Sequence, residues 1–194
     1  MEVKTDEILI SEYQQGNAQA LEELFGRYKK AIFNYALRLL GDRADAEDIV
    51  AESFMILVTN KMAYQPQAKF STWFYRVAHN MAISRIRRRK YSVSMWFKKN
   101  DGDDFEEWDV ADTKDLPQEE LIKKEKNLAV RKAIQKLPED QKEALILREY
   151  QELSYHEISV ILDCSLENVK ILIFRAREAL RTELASVMSE DSHE

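Results

Sequence analysis

The chain has 194 residues, 45% of them hydrophobic and 33% charged, which suffices to bury a core and excludes a wholly disordered protein. Only four glycines and three prolines leave little material for the turns of an all-β fold, and the single cysteine, Cys164, excludes an internal disulfide. The start "MEVKTDEILISEYQQ" lacks the basic head and apolar centre of a signal peptide, and no apolar run approaches membrane-spanning length, so a cytoplasmic protein without membrane insertion is expected.

The net charge of −6 conceals a strong asymmetry. Residues 61–100 hold ten basic side chains and no acidic one. Residues 101–120 hold ten acids against the single base Lys114, so that stretch carries −9 and the rest of the chain +3. Such a split fits a polyanion-binding part beside an acidic connector, and equally two solvated faces of opposite sign.

In chain order, Asp6 is expected to cap a short helix that Gly16 stops. Asn17 then caps "AQALEELFGRYKKAIFNYALRLL", which Gly41 ends, with Leu21, Leu24, Phe25, Tyr28, Ile32, Tyr35, Ala36 and Leu39 on its core face. Asp45 is placed as the cap of the next helix, where Val50, Phe54 and Leu57 share a face. After a loop containing Pro66, Ser71 is placed as the N-cap of "STWFYRVAHNMAISRIRRRKYS". The aperiodic acidic stretch 93–116 reads as a linker, despite Trp96, Phe97, Phe105 and Trp108 at or near it. Pro117 restarts the helical pattern, and Pro138 suits the first position of "PEDQKEALILREYQE". The fold expected is all-α: two small helical domains joined by an acidic linker.

Near the C-terminus, Ser154 and Glu157 have capping-box spacing, and "DCS" joins a short helix to a longer one that Ser165 can cap. This is helix-turn-helix spacing. On a helical wheel Leu166, Val169, Ile173, Ala176, Leu180 and Leu184 turn inward. Glu167, Asn168, Ile171, Phe174, Arg175 and Glu178 turn outward, flanked by Lys170, Arg177 and Arg181. Exposed apolar groups among bases suit thymine methyls and guanine edges. A helical hairpin with a basic rim fits the same pattern.

In the helix after Ser71, Trp73, Arg76, Asn80, Ser84 and Arg87 form a stripe opposite Phe74, Val77, Ala78, Met81 and Ala82. The stripe offers an aromatic to stack on an unpaired base, an amide to read its edge, and cations for phosphates. Core packing by Trp73 and Phe74 beside a solvated arginine run is the alternative. No paired metal-ligand motif or Gly-rich phosphate loop is present, and His79, His156 and His193 show no ligand spacing with Cys164. No catalytic residue, metal or cofactor is therefore expected.

The segments "DAEDIVAESF", "FSTWFYRVAHNMAISRIRRRK", "LPEDQKEALILREYQELSYHEISVILDCS" and "FRAREALR", in this order and spacing, resemble bacterial RNA polymerase sigma factors of the extracytoplasmic-function group. The resemblance implies a promoter-specificity subunit, not an enzyme. It would bind core RNA polymerase, recognise the minus-35 and minus-10 elements, and nucleate strand opening for stress or envelope-response genes. Residues 5–92 would be the sigma-2-like domain, 93–116 a linker through the RNA-exit path, and 117–188 the sigma-4-like domain. Asp45, Glu47, Asp48 and Glu52 become candidates for polymerase contact. Phe70, Ser71, Thr72, Trp73 and Asn80 become candidates for a flipped-out base of the melted non-template strand. Lys69, Arg76, Arg85, Arg87, Arg88 and Lys90 would hold the backbone. Minus-35 duplex contacts would fall to Ser165, Glu167, Asn168, Lys170, Ile171, Phe174, Arg175 and Arg177. "NVKILIF" places Ile171 and Leu172 where many relatives carry a small or basic pair. The resemblance also implies an anti-sigma factor as a partner. A helix-turn-helix repressor or activator acting without polymerase is the competing reading, and it leaves the Trp73–Asn80 surface without a role.

Overall fold

The computed structural model describes residues 4–95 and 118–190, and among them are eight helices and no strand. They are α1 (Asp6–Gln14), α2 (Ala18–Leu40), α3 (Arg43–Thr59), α4 (Phe70–Met95), α5 (Gln118–Gln135), α6 (Glu139–Glu149), α7 (Tyr155–Ile161) and α8 (Leu166–Glu190). All but the first three positions of the expected acidic linker lie outside the described residues, and those three continue α4.

Local chemistry sets most helix ends. The Asn17 side chain accepts from the Gln19 N–H at the start of α2, and Gly41 closes that helix in the left-handed conformation, φ 70°. At the start of α7 the Ser154 hydroxyl accepts from the Glu157 N–H while the Glu157 carboxylate accepts from the Ser154 N–H. Four starts differ from expectation. Thr5, not Asp6, caps α1, and Asp42, not Asp45, caps α3; in both cases the acid behind the cap sits in the first turn, where the helix dipole favours it. Pro138 is itself the N-cap of α6. Helix α4 starts at Phe70, whose N–H is taken by the Glu7 carboxylate of α1 at 3.2 Å, so another helix supplies the cap that Ser71 was expected to provide.

Helices α1 to α4 close around an aromatic cluster. Phe74 is fully buried, stacked on Phe70 at 5.4 Å between ring centres and edge-on to Tyr28 and Phe54. Leu24, Ile32, Ile49 and Leu57 complete this core. Phe25, expected inside, is 41% exposed and meets only the rim of the cluster, edge-on to Phe54 at 4.8 Å. In the second group Ile146, Leu147, Ile158, Ile161, Val169, Ile173 and Ala176 pack α6, α7 and α8 together.

The two groups are docked, which their sequence periodicity did not indicate. Helix α7 lies on α4, and α5 and α6 lie on α2. Tyr75 donates to Gln151 Oε1 at 2.5 Å, Gln135 Nε2 donates to the Arg38 carbonyl at 2.6 Å, and the Arg38 guanidinium sits 4.2 Å above the Tyr150 ring. Lys69 pairs with Glu157 and Lys90 with Glu139, each at 2.9 Å. At the centre the buried Glu143 carboxylate accepts from the Tyr35 hydroxyl and lies 2.6 Å from His79 Nδ1.

Phe74→Ala empties the aromatic cluster and is expected to cost about 3–5 kcal/mol in urea unfolding, against under ~1 kcal/mol for Phe25→Ala at its rim. The Glu157 carboxyl, which burial alone would raise, is drawn down to about 2 by hydrogen bonds from Ser154 and Lys69. A carboxyl lowered in the folded state stabilises above its unfolded value near ~4.3 and loses that contribution as pH falls through about 2. An acid titration of the melting temperature should therefore fall less steeply between those pH values in Glu157→Gln than in the parent.

Candidate nucleic-acid interface

Helix α4 is positioned by its buried side and displays the other. Phe74, Tyr75, Ala78 and Ala82 are buried, and Arg76, Asn80, Ser84, Arg87 and Arg88 are exposed along one side. Trp73 stands between the two environments, half-buried, with its ring held by Tyr64 at 5.6 Å and by Phe70 at 5.8 Å. An indole fixed in this way keeps an edge at the surface at little cost in side-chain freedom. Ser71 is half-buried beside it. Phe70 and Thr72 differ from expectation. Both are buried, because the helix starts at Phe70 and its first turn is driven into the core.

Asn80 and Arg88 open onto a cleft of about 300 Å³ between α3 and α4, which Ile56, Val77 and Met81 floor and Glu52, Ser84 and Arg85 edge. Arg85 is not presented outward with Arg87 and Arg88. It shares a helix face with Ala78, Ala82 and Arg89, and that face lies on α3. Its guanidinium, 14% exposed, meets Glu52 at 2.8 Å, Asp45 at 3.3 Å and Asp48 at 3.7 Å. The hydrogen bond to Glu52, opposed by partial burial, holds it above its ordinary pKa. Arg89, not among the expected contacts, meets Asp42 at 3.0 Å and also bonds Asp45. Three expected polymerase-contact acids thus converge on one expected DNA-contact arginine, while Glu47 pairs with Arg43 along its own helix at 3.0 Å. Spacing along each helix could not show this, since the partners are separated by 33 to 40 residues.

Two further cations on this side face the other helical group: Lys69 meets Glu157, and Arg76 stands 3.9 Å from Asp163. Among the described residues, Arg87 and Arg88 are the cations of the expected backbone set that make no ion pair.

In the helix-turn-helix, Asp163 takes the left-handed conformation at the turn, φ 52°, which a short polar side chain tolerates. The Ser165 hydroxyl accepts from the Asn168 N–H at 3.1 Å and fixes the start of α8. Val169, Ile173 and Ala176 are buried, and Leu172 packs partly against the core. Glu167, Asn168, Lys170, Ile171, Phe174 and Arg175 are exposed on the outer side, Phe174 at 66%. Ile171 and Phe174 are the large apolar side chains left mostly to solvent on this side. Arg177 is exposed but bonded to Glu149 at 2.5 Å, which raises its pKa and leaves Arg175 the less encumbered arginine. Burial pushes the Cys164 thiol up, against thiolate chemistry. Among the described residues no group of histidine, cysteine or carboxylate side chains could hold a metal, and no helix is long and apolar enough to cross a membrane.

Residues 24–91 match the family model for sigma-70 region 2, and residues 127–180 that for sigma-70 region 4. The chain is 34% identical over 177 residues to the ECF RNA polymerase sigma factor SigW of Bacillus subtilis, covering 90% of this chain and 94% of that one. It is 33% identical to the ECF RNA polymerase sigma-E factor of Haemophilus influenzae, covering 95% and 97%. In fold it is similar to CnrH, solved with the cytosolic domain of CnrY, at TM-score 0.67 and 19% identity over 94% of this chain and 99% of that one. It is also similar to the sigma factor RpoE of Bartonella quintana, solved with the anti-sigma factor NepR, at TM-score 0.66 and 22% identity over 84% and 96%. A region 2 built on α4, a region 4 ending in a helix-turn-helix, and full-length similarity place this chain in the extracytoplasmic-function family of RNA polymerase sigma factors.

Proposed function

We propose that this chain binds core RNA polymerase and directs it to promoters of stress or envelope-response genes, reading two elements with two different surfaces. The observation that carries this reading is the outward side of α4, where a half-buried tryptophan, an amide and a row of cations follow one another on a helix locked to the core by its other side.

At the minus-10 element, Trp73 and Asn80 take an unstacked base of the non-template strand, Trp73 by stacking and Asn80 through its amide, with Ser71 at the helix start. Arg76, Arg87, Arg88, Lys69 and Lys90 neutralise phosphates. Phe70 and Thr72 act from inside, by seating the first turn. Arg85 acts through α3: by holding Asp45, Asp48 and Glu52 it shapes the acidic face that meets the polymerase, with Glu47 on the same helix. At the minus-35 element, α8 enters the major groove with Glu167, Asn168, Lys170, Ile171, Phe174 and Arg175 toward the bases, Ser165 at its entry and Arg177 beside them. The acidic stretch 93–116 joins the two functions, and a cytoplasmic location follows from the polymerase. An anti-sigma factor is a further partner in this reading, supported by the apolar side chains Met55, Val58 and Met62 that stand exposed around the end of α3. A repressor acting without polymerase would leave the region 2 surface idle.

Transcription in vitro with core polymerase over randomised promoters should enrich two motifs at fixed spacing only when this protein is added; absence of enrichment despite core binding would sink the reading. On an enriched promoter, Trp73→Ala should slow strand opening, read by permanganate footprinting, in line with a stacking contribution of about 1–3 kcal/mol. Arg175→Ala should instead weaken recognition of the upstream element by about 1–3 kcal/mol and relax its sequence preference.

A further inference from the structure

Helix α1 lies before the residues that match region 2, which begin at residue 24. Leu9, Ile10 and Tyr13 are buried, and the helix lies on α2 and α4. Three of its side chains reach further, to the path of the chain from α3 to α4 through residues 60–69. The Tyr13 hydroxyl donates to the Leu57 carbonyl in the last turn of α3 at 3.1 Å. Gln14 Nε2 donates to the Tyr64 carbonyl, in the middle of the connection, at 3.1 Å. The Glu7 carboxylate accepts the Phe70 N–H, where α4 begins, at 3.2 Å. Glu7 and Gln14 stand about two turns apart and share a face of α1. A helix that only covered the core would need its apolar side alone. These side chains bond main-chain atoms instead, so they constrain the backbone of the connection directly.

Tyr64 passes that constraint on. Its hydroxyl donates to the Ala68 carbonyl at 2.8 Å and closes the connection on itself. Its buried ring meets Phe70 at 5.5 Å and Trp73 at 5.6 Å, edge-on in both cases. Edge-to-face contacts set an angle as well as a distance. The angle of Trp73 is therefore set by a ring whose own backbone is held from α1.

We propose that Glu7 and Gln14 are positioning residues for promoter opening: from α1 they set the backbone of residues 60–69, through Tyr64 the angle of Trp73, and so which unstacked base of the minus-10 element is accepted. The proposal rests on the promoter-recognition reading for the base, and on the main-chain hydrogen bonds alone for the fastening. Neither residue touches DNA.

The test uses three substitutions in the full chain. Gln14→Glu keeps the shape and removes the donor, Glu7→Ala removes the acceptor, and Glu7→Gln retains an accepting oxygen. Without polymerase, amides of residues 61–70 should exchange hydrogen roughly tenfold faster in Gln14→Glu and Glu7→Ala and at the wild-type rate in Glu7→Gln. Exchange in α2 and α8 should not change. Open-complex formation with core polymerase is then measured on an enriched promoter carrying each of the four bases at each position of the melted element. Gln14→Glu and Glu7→Ala should weaken base preference roughly fivefold at the position that Trp73→Ala also flattens. Preference at the upstream element and affinity for core polymerase should stay as in the wild type, which a general loss of stability would not allow. Wild-type exchange over 61–70 in both disruptive variants overturns the fastening. Faster exchange with unchanged base preference at every position overturns the positioning role, and so does a Glu7→Gln protein as impaired as Glu7→Ala. Should Glu7→Ala release the whole of α1, seen as faster exchange there, Gln14→Glu carries both readouts. A wild type without base preference counts against the promoter reading and leaves the exchange rates to decide the fastening.

Discussion

Every group that α4 presents outward depends on how the first turn of that helix is seated. Phe70 and Phe74 stack on each other and wedge among Tyr28, Phe54, Tyr64 and Trp73, while Glu7 of α1 takes the Phe70 N–H. Aromatic rings meeting edge to face define an angle as well as a distance, so the wedge fixes the rotation of α4 about its own axis. That rotation decides that Arg76, Asn80, Ser84, Arg87 and Arg88 meet solvent and that Arg85 and Arg89 meet α3. A helix turned by one position would exchange those sets.

The arginine-rich end of α4 is consequently two devices. Arg85 and Arg89 draw Asp42, Asp45, Asp48 and Glu52 into a network that ties α3 to α4. With several acids shared between two planar cations, such a network resists solvent screening better than isolated surface pairs do. Arg87 and Arg88, two and one positions before Arg89, make no ion pair among the described residues. The acid-free composition of the segment thus overstates the positive charge on offer: part of it is neutralised by the neighbouring helix.

Docking of the two groups adds a second balance of the same kind. Lys69 and Lys90 meet Glu157 and Glu139 across the interface, while Tyr75 and Gln151 and the buried Glu143 site give it direction. Exposed ion pairs contribute little each, so specificity of docking resides in the buried hydrogen bonds and in the apolar residues that form one continuous cluster through both groups. A protein that must engage a large enzyme and two separated DNA elements has reason to keep such an interface reversible.

The all-α class, the Asn17, Gly41 and Ser154 boundaries, the left-handed turn at Asp163 and the inward stripe of α8 are local matters, and local sequence determined them. A capping side chain acts within three residues, and a helical stripe repeats every three or four. The family resemblance was equally legible, because it rests on ordered segments along the chain. Tertiary structure alone decided which cations remain available, that Phe70 and Thr72 belong to the core, and that His79 bonds Glu143, 64 residues further along. Those outcomes depend on which face of one helix another helix covers. Burial and ion pairing between distant segments leave no periodic trace in either one, so nothing short of the packed fold could reveal them.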